Sequence, residues 1–256
     1  MDLGLAHKYV LVTGGAGGIG EAICRAFADE GAMVAVHYHS SENAAHQLAS
    51  DIGGIAVRAD LTVPSDVDAM FDFVLESFGS LDICVANAGW YPGEDRPIWE
   101  ISPQRLRQTI DANLMTTFLT ARRFLSHTTS TMSGVLVMIG STAGQFGEAG
   151  SSDYAAAKGA INTGLLLSLK NEAARIGDGV RVNVIAPGWT VTPKRMAEGI
   201  DPVLVAKATS TMARKQLATP EDVARQVVLL ASDVASAHQT GQVVTVAGGM
   251  EGRQVP

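Results

Sequence analysis

The sequence predicts an α/β fold: a parallel sheet covered by helices on both faces. Three observations predict it. Short, almost wholly apolar runs alternate along the chain with longer stretches in which apolar residues recur every three or four positions. These are the patterns of buried strands and of helices with one apolar face. Strands apolar on both faces belong to parallel sheets sandwiched between helix layers. Between the first strand and the first helix lies a glycine-rich turn, Thr13-Gly14-Gly15-Ala16-Gly17-Gly18-Ile19-Gly20.

The first strand is Tyr9-Val10-Leu11-Val12, and the helix after the turn shows Ile19, Ala22, Ile23, Ala26 and Phe27 on one face. A glycine-rich turn at a helix N-terminus lets a phosphate approach the main chain and meet free N–H groups. The spacing is T-G-x-x-x-G-x-G, not the common dinucleotide fingerprint G-x-G-x-x-G, and a surface turn without a ligand is the alternative. Gly31 stops the helix, and Ala32-Met33-Val34-Ala35-Val36 is the second strand. The next residues, His37-Tyr38-His39-Ser40-Ser41, hold no acid before Glu42. An acid there would bond a ribose 2′-hydroxyl and repel a 2′-phosphate. His39, Ser40 and Ser41 can donate to a phosphate instead, and Ser41 can also cap a helix over about 42–50.

The third strand, 54–59, ends at Asp60-Leu61. Pro64 and Ser65 start a helix with Val67, Met70, Phe71, Val74, Leu75 and Phe78 on one face, ended by Gly79. The fourth strand, 81–86, stops at Asn87-Ala88-Gly89. A loop opens at Trp90-Tyr91-Pro92-Gly93 and runs to about Glu100; its aromatics either line a substrate site or pack on the protein body. A long helix is expected over about 102–125, with Asn113 inside it, where an asparagine side chain competes for backbone bonds. The fifth strand, 135–139, is followed at once by Gly140-Ser141. Ligands of parallel sheets bind beyond the C-terminal strand ends, so Ser141 is in the layer where chemistry occurs. A flexible stretch then leads to a helix over about 152–176. It sets Tyr154 and Lys158, four apart, on one face. Such a pair is commonly solvated, but the strand-end serine before it favours a functional pair. The sixth strand, 180–186, breaks at Pro187-Gly188-Trp189. The stretch 190–217 has no strong pattern and reads as short helices and loops forming a lid. A helix over about 220–231 and a last strand, 242–246, complete the chain, with Gly248-Gly249 ending that strand. One domain over 1–256 is expected, with the lid at about 190–215.

The 256 residues suffice for a sizeable core, and 46% hydrophobic with 18% charged residues is a globular composition. A net charge of −7 argues against nucleic acid and anionic membranes as partners. No apolar run approaches the ~20 residues of a membrane span. No basic stretch followed by an apolar core opens the chain, so no export signal is expected. Cys24 and Cys84 sit in apolar segments and read as buried reduced thiols of a cytoplasmic protein, with neither disulfide nor metal site. The tail 251–256 is expected to be disordered, with reach to a neighbouring subunit as the alternative.

Taken together, Thr13-Gly14, Gly18-Ile19-Gly20, Asp60, Asn87-Ala88-Gly89, Asn113, Ser141, Tyr154 with Lys158, and Pro187-Gly188 with Thr192 resemble the short-chain dehydrogenase/reductase family. The resemblance runs from Tyr9 to Met250 and is strongest to the branch containing 3-oxoacyl-(acyl-carrier-protein) reductases. It implies a Rossmann-like sheet of seven parallel strands and a homotetramer or dimer built partly on the long helices. By that resemblance, Gly14, Gly18, Ile19 and Gly20 cradle a pyrophosphate. Tyr38, His39 and Ser40 face the adenosine ribose, Asp60 and Leu61 the adenine, and Asn87, Ala88 and Gly89 the cofactor's ribose region. Lys158 holds the nicotinamide ribose, and Pro187, Gly188, Thr190 and Thr192 fix the carboxamide.

Tyr154 is then the acid and base of hydride transfer between a nicotinamide cofactor and a carbonyl or secondary alcohol. Its phenol is activated by Lys158 and by the positive oxidised cofactor. Ser141 orients the substrate oxygen, and Asn113 holds a water that links Lys158 to solvent. NAD-preferring members of the family carry an acid at the position of Tyr38, and NADP-preferring ones a cation at Gly17 or His39; neither is present. The run His37-Tyr38-His39-Ser40 resembles pteridine reductases, so NADP(H) is expected and NAD(H) is the alternative. Ser126 to Gly134 carries no Lys or Arg, leaving only Arg175 for docking an acidic carrier protein. Trp90, Tyr91, Trp189 and Met196 imply an apolar or aromatic pocket for a small or medium ketone, alcohol or 3-oxoacyl-type substrate. A cofactor-binding sensor without catalysis, or a nucleotide-sugar epimerase or dehydratase, are the rival readings.

Overall fold

The computed structural model describes residues 1–192 and 199–250. Seven strands form one sheet: β1 (Tyr9–Val12), β2 (Met33–Tyr38), β3 (Ile55–Arg58), β4 (Ile83–Ala86), β5 (Ser133–Ile139), β6 (Gly179–Pro187) and β7 (Val243–Val246). Their order is β3-β2-β1-β4-β5-β6-β7, and every neighbouring pair is parallel. This is the expected Rossmann-like α/β architecture. Parallel neighbours need crossovers. Those of the first half are α1 (Gly18–Asp29), α2 (Glu42–Asp51) and α3 (Pro64–Phe78). The order reverses beside β1: the chain moves out through β2 and β3, then returns to place β4 on the other side of β1. Such a reversal opens a crevice at the C-terminal strand ends.

Strand side chains alternate between the two faces, and each face has its own core. Val10 and Val12 of β1 join Ile23 and Phe27 of α1 on one side. Leu11, between them, joins Phe71 of α3 and Leu136 of β5 on the other. The first core is closed by α10 (Pro220–Ala231), through Val223 and Val227; α9 (Pro202–Thr209) precedes it in the chain.

The second face is covered by two long rods. The first is α4 (Pro103–Ile110), a wider π turn at Asp111–Met115, and α5 (Thr116–Thr131). It runs past the expected end near 125. Ser126 to Thr131, read as part of the approach to β5, is helical, with its hydroxyls bonded back to the preceding turn. Thr128 donates to the Leu125 carbonyl, Thr129 to Ser126 and Ser130 to His127, each at 2.8 Å. The second rod is α7 (Ser152–Ala160), a π turn at Ile161–Leu165 and α8 (Leu166–Ile176). The stretch before it, expected to be flexible, holds the short helix α6 (Ala143–Phe146). Ser41 occupies the N-cap position of α2, but its side chain makes no capping bond. Met196 and the tail 251–256 lie outside the described residues, as does the part of the expected lid over 193–198.

One polar anchor stands out in the core. Arg181 of β6 is buried, and its guanidinium donates to the Leu230 carbonyl at 2.8 Å and the Ala231 carbonyl at 3.1 Å. Those carbonyls end α10, where no further turn exists to bond them and the helix dipole favours a cation. Asp233, in the short helix α11 (Asp233–Ser236), accepts from the same guanidinium at 2.8 Å. Arg181→Leu should lower unfolding stability by about 2–3 kcal/mol, the scale for lost hydrogen bonds to a charged group. A urea midpoint equal to that of the parent chain would contradict this role.

Candidate active site

The crevice begins at the turn after β1. Thr13 Oγ1 accepts from the Asn87 main-chain N–H at 3.0 Å and the Ala88 N–H at 3.1 Å, tying the end of β4 to the end of β1. The Asn87 side-chain amide donates to the carbonyls of Thr13 at 2.9 Å and Gly14 at 3.2 Å. Gly14 itself has φ +62°, a left-handed conformation that favours glycine. A Cβ at Gly20 would run into the Gly14 carbonyl, and one at Gly18 into the Thr192 side chain. The turn and the start of α1 are therefore in close contact. Gly17 at the N-cap supplies no side-chain cap. The first-turn N–H groups of α1, at its positive dipole end, thus have no side-chain cap at the crevice.

Four other side chains converge beyond β4 and β5. Lys158 of α7 is buried and donates from Nζ to the Ile139 carbonyl at 2.9 Å. Its Nζ lies 5.8 Å from the centre of the Tyr154 ring. The Ser141 hydroxyl stands at the Tyr154 phenol and pulls its pKa downward. Ser141 Oγ also accepts from the Ala143 N–H at 3.1 Å. Asn113 is fully buried in the first π turn. Its amide donates to the carbonyls of Trp90 at 2.8 Å and Thr109 at 2.9 Å, and its Oδ1 accepts from the Trp90 N–H at 3.2 Å. Asn113 and Lys158 face one another across Gly89: a Cβ there would lie 2.8 Å from Asn113 Oδ1 and 3.3 Å from Lys158 Nζ.

The residues expected at the cofactor are unevenly placed. His39 and Ser40 are exposed at the end of β2, and His39 Nε2 lies 3.9 Å from Asp60 Oδ2. Asp60 accepts from the Thr62 N–H at 2.9 Å and the Thr62 hydroxyl at 2.7 Å, bonds that hold its carboxyl below the usual range. The Tyr38 ring is not brought to this end of the sheet. It is buried with Val34 and Val36 in the core under α2 and meets His46 edge-on, because residues two apart share a strand face. Leu61 likewise packs into the second core, while Ile19 and Ala88 are partly buried against the two cores. Pro187 ends β6 and its carbonyl accepts from the Thr142 N–H at 2.9 Å, next to Ser141. Gly188 packs on Ala247, and Thr190 bridges to Ala218.

A family model described as enoyl-(acyl carrier protein) reductase matches residues 14–251. The chain is 35% identical, over 97% of its length and 98% of that protein's, to a cis-4-hydroxycyclohexanecarboxylate dehydrogenase of Sinomonas cyclohexanicum. It is 37% identical, over 96% and 94%, to 3beta-hydroxysteroid dehydrogenase 1 of Eggerthella lenta. To a 3-oxoacyl-[acyl-carrier-protein] reductase of Synechocystis sp. it is 33% identical, over 96% and 98%. The chain belongs to the short-chain dehydrogenase/reductase family. It is therefore an NAD(P)-dependent oxidoreductase acting on hydroxyl or keto groups of small molecules. No helix among the described residues is long and apolar enough to cross a membrane. The described residues contain no cluster of three or more His, Cys, Asp or Glu side chains able to hold a metal ion.

In this short-chain dehydrogenase/reductase the electrostatics differ from the expectation in one respect. Burial pushes the Tyr154 phenol up to about 12, outweighing the Ser141 hydrogen bond. Lys158 is itself lowered to about 8 by burial, with its ammonium turned toward the Ile139 carbonyl. The chain's own groups thus keep the phenol protonated. Several supporting residues escaped the sequence reading. Asn162, in the second π turn, donates to the Ser141 carbonyl at 2.8 Å. Asp153, beside Tyr154, is buried and bonded to Arg105 Nε at 3.0 Å and the Thr109 hydroxyl at 2.8 Å, fastening the start of α7 to α4. Arg58, opposite Tyr38 in register, donates to the His39 carbonyl at 3.3 Å and brings a cation to the end of β2. Its alternation with Val57 on an outer strand was the available signal.

His37 is the clearest omission. Its Nδ1 accepts from the Gly14 N–H at 2.9 Å, and its Nε2 lies 3.2 Å from the Ala59 carbonyl. One buried ring therefore joins the glycine turn to the ends of β2 and β3 in a single tautomer, with the proton on Nε2. Burial lowers its pKa from 6.5 to about 4. The neutral ring is the one the fold needs, so its contribution is complete above pH 6.5 and is lost as pH falls toward about 4. The shift corresponds to on the order of 3 kcal/mol. His37→Gln should flatten the fall in melting temperature over that pH window. His37→Ala should weaken dinucleotide binding about tenfold, one net hydrogen bond's worth. Fluorescence titration giving an unchanged Kd for the alanine variant would contradict the role.

Proposed function

We propose that the protein reduces a small or medium ketone, or oxidises the corresponding secondary alcohol, with Tyr154 as the proton donor and acceptor and NADP(H) as the preferred cofactor. The observation that carries this reading is the convergence of Ser141, Tyr154, Lys158 and Asn113 at the C-terminal strand ends. The open N-terminus of α1 supports a pyrophosphate held by Gly14, Gly18, Ile19 and Gly20. Asp60, Leu61 and Asn87 to Gly89 would border the adenosine half, and Pro187, Gly188, Thr190 and Thr192 the nicotinamide half.

When bound, the nicotinamide supplies or accepts the hydride. The protein's own residues handle the oxygen and its proton. Ser141 Oγ, fixed by the Ala143 N–H, donates to the substrate oxygen and aims it at Tyr154. In reduction Tyr154 gives its phenolic proton to that oxygen as negative charge develops; in oxidation it takes the proton back. The buried phenol needs positive charge nearby to exchange its proton at neutral pH. Lys158 provides part of it, and the opening at Gly89 supports a proton path shared with Asn113. Asn113 also positions this wall by clamping both polar main-chain groups of Trp90.

Arg58, His39 and Ser40 favour a 2′-phosphate, and no acid stands at the position of Tyr38. The relatives act on a cyclohexane alcohol, a steroid and a carrier-bound oxoacyl group, so ring and chain ketones both fit this reading. The helical stretch before β5, free of Lys and Arg, disfavours carrier-protein docking. Phe118 of α5 and Leu167 of α8 are half-exposed apolar side chains on the two rods and support a homotetramer or dimer. We read the chain as one catalytic domain of a cytoplasmic enzyme, with 190–215 as its lid; Cys24 and Cys84 are buried free thiols.

Oxidation of NADPH and NADH followed at 340 nm across a panel of ketones and 3-oxoesters tests the reading. Wild-type protein should favour NADPH. Tyr154→Phe should lower kcat by at least about a thousandfold, consistent with loss of the transferable proton, while Kd for the cofactor stays put. Arg58→Glu should lower kcat/KM for NADPH about tenfold and leave that for NADH nearly constant, because one phosphate contact is lost. Near-normal turnover by Tyr154→Phe would sink the mechanism, and equal efficiency with NADH would sink the cofactor preference.

A further inference from the structure

Beside Tyr154 the crevice is walled by two loops that bind each other. The Arg96 N–H donates to the Gly150 carbonyl at 2.8 Å. The Asp95 side chain lies against Gly150, where a Cβ would come within 2.9 Å of its carboxyl carbon. Tyr91 stands in this wall with its ring perpendicular to the Tyr154 ring, the centres 5.1 Å apart. Its hydroxyl donates to Glu148 Oε1 at 2.9 Å and lies 3.2 Å from Ser151 Oγ. Burial holds that hydroxyl up to about 12, so it remains a donor. Glu148 is thereby pinned one side chain away from the proposed proton donor.

Among the described residues the charges around this wall are not balanced. Glu94 is paired with Arg96 at 2.8 Å, and Asp153 with Arg105 at 3.0 Å. Glu148 and Asp95 have no Lys or Arg partner among the described residues. Partial burial and the Asp95 charge push the Glu148 carboxyl upward, the direction expected of an acid facing a second acid without a counter-charge. A substrate entering here meets a carboxylate with one oxygen engaged by Tyr91 and lone pairs left to accept a hydroxyl. A carboxylate on the substrate meets repulsion in a partly desolvated site, where charges are screened less than in water.

We propose that Glu148, held by Tyr91, is a specificity-determining residue that admits uncharged ketones and alcohols and turns away substrates bearing a carboxylate near the reacting carbon. The inference rests on the assignment of Tyr154 as the reacting group, and it selects within the substrates which that assignment allows. The 35%-identical relative's printed name gives it a carboxylate-bearing substrate, so on this inference the two proteins differ in the substrate charge they accept.

The test compares 4-methylcyclohexanone with 4-oxocyclohexanecarboxylate, rings of similar size that differ in charge. Turnover with NADPH and NADH and binding to the cofactor-loaded protein, followed by ligand-detected NMR, are measured for wild type and Glu148→Gln. Wild type should favour the neutral ketone at least about tenfold in kcat/KM, the discrimination expected of like charges at close range. In Glu148→Gln that ratio should fall at least about fivefold through a lower KM for the anion, since the amide keeps the acceptor for Tyr91 and loses the charge. Equal or better use of the anion by wild type, a ratio unmoved by the substitution, or binding of neither ketone overturns the inference. Preferential binding of the neutral ketone without reduction by either cofactor supports the charge rule and overturns the proposed reaction instead.

Discussion

The structure depends on the hydrogen bonds that fasten the turn after β1 to the ends of its neighbours. Asn87 and Thr13 join it to β4, and His37 joins it to β2 and β3. These bonds stand where the sheet order reverses. There two strands diverge from β1, and exposed main-chain groups would otherwise be left unpaired. With the turn held, Gly20 can sit against the Gly14 carbonyl, α1 can start there, and its N-terminal dipole points into the crevice. The uncapped N-terminus of α1 at the crevice is thus a consequence of how the first core is closed, with Ile23 and Phe27 of α1 packed on Val10 and Val12.

A second constraint shapes the other half of the crevice. Each rod crossing this face of the sheet contains one π turn, at Asp111–Met115 and at Ile161–Leu165. A π turn widens a helix by one residue and redirects main-chain and side-chain polar groups. In the first, Asn113 faces inward and clamps Trp90; in the second, Asn162 reaches the Ser141 carbonyl. Two amides thereby set the wall and the serine on either side of Tyr154. Lys158, desolvated at the end of β5, has its ammonium met by the Ile139 carbonyl. Polar groups buried at this density are tolerated because nearly all of them are paired.

The outer wall is built differently. It consists of loops joined by single bonds across it, with Tyr91 as the shared member. Among the described residues Glu148 and Asp95 have no Lys or Arg partner here, so on the proposed reading substitutions in this wall would alter which molecules enter. On the proposed reading the sheet ends place the reacting groups and the loops carry the selectivity.

The sequence by itself determined the strands, the helices on both faces and the family, because apolar periodicity and the glycine turn are local properties of the chain. It also singled out Ser141 from its place after a strand and the Tyr154–Lys158 pair from its spacing, while Asn113 entered through the family resemblance. It overestimated Tyr38, since its ring points to whichever face the strand register assigns, and it ended the 102–125 helix short of Thr131, where α5 stops. His37, Arg58, Asn162, Asp153 and the Tyr91–Glu148 pair were decided only by the tertiary structure. Each takes its role from a partner distant in sequence, such as Gly14 for His37 at 23 residues or Glu148 for Tyr91 at 57. No local pattern records such a partner; packing the helices on the sheet brings it within hydrogen-bond reach.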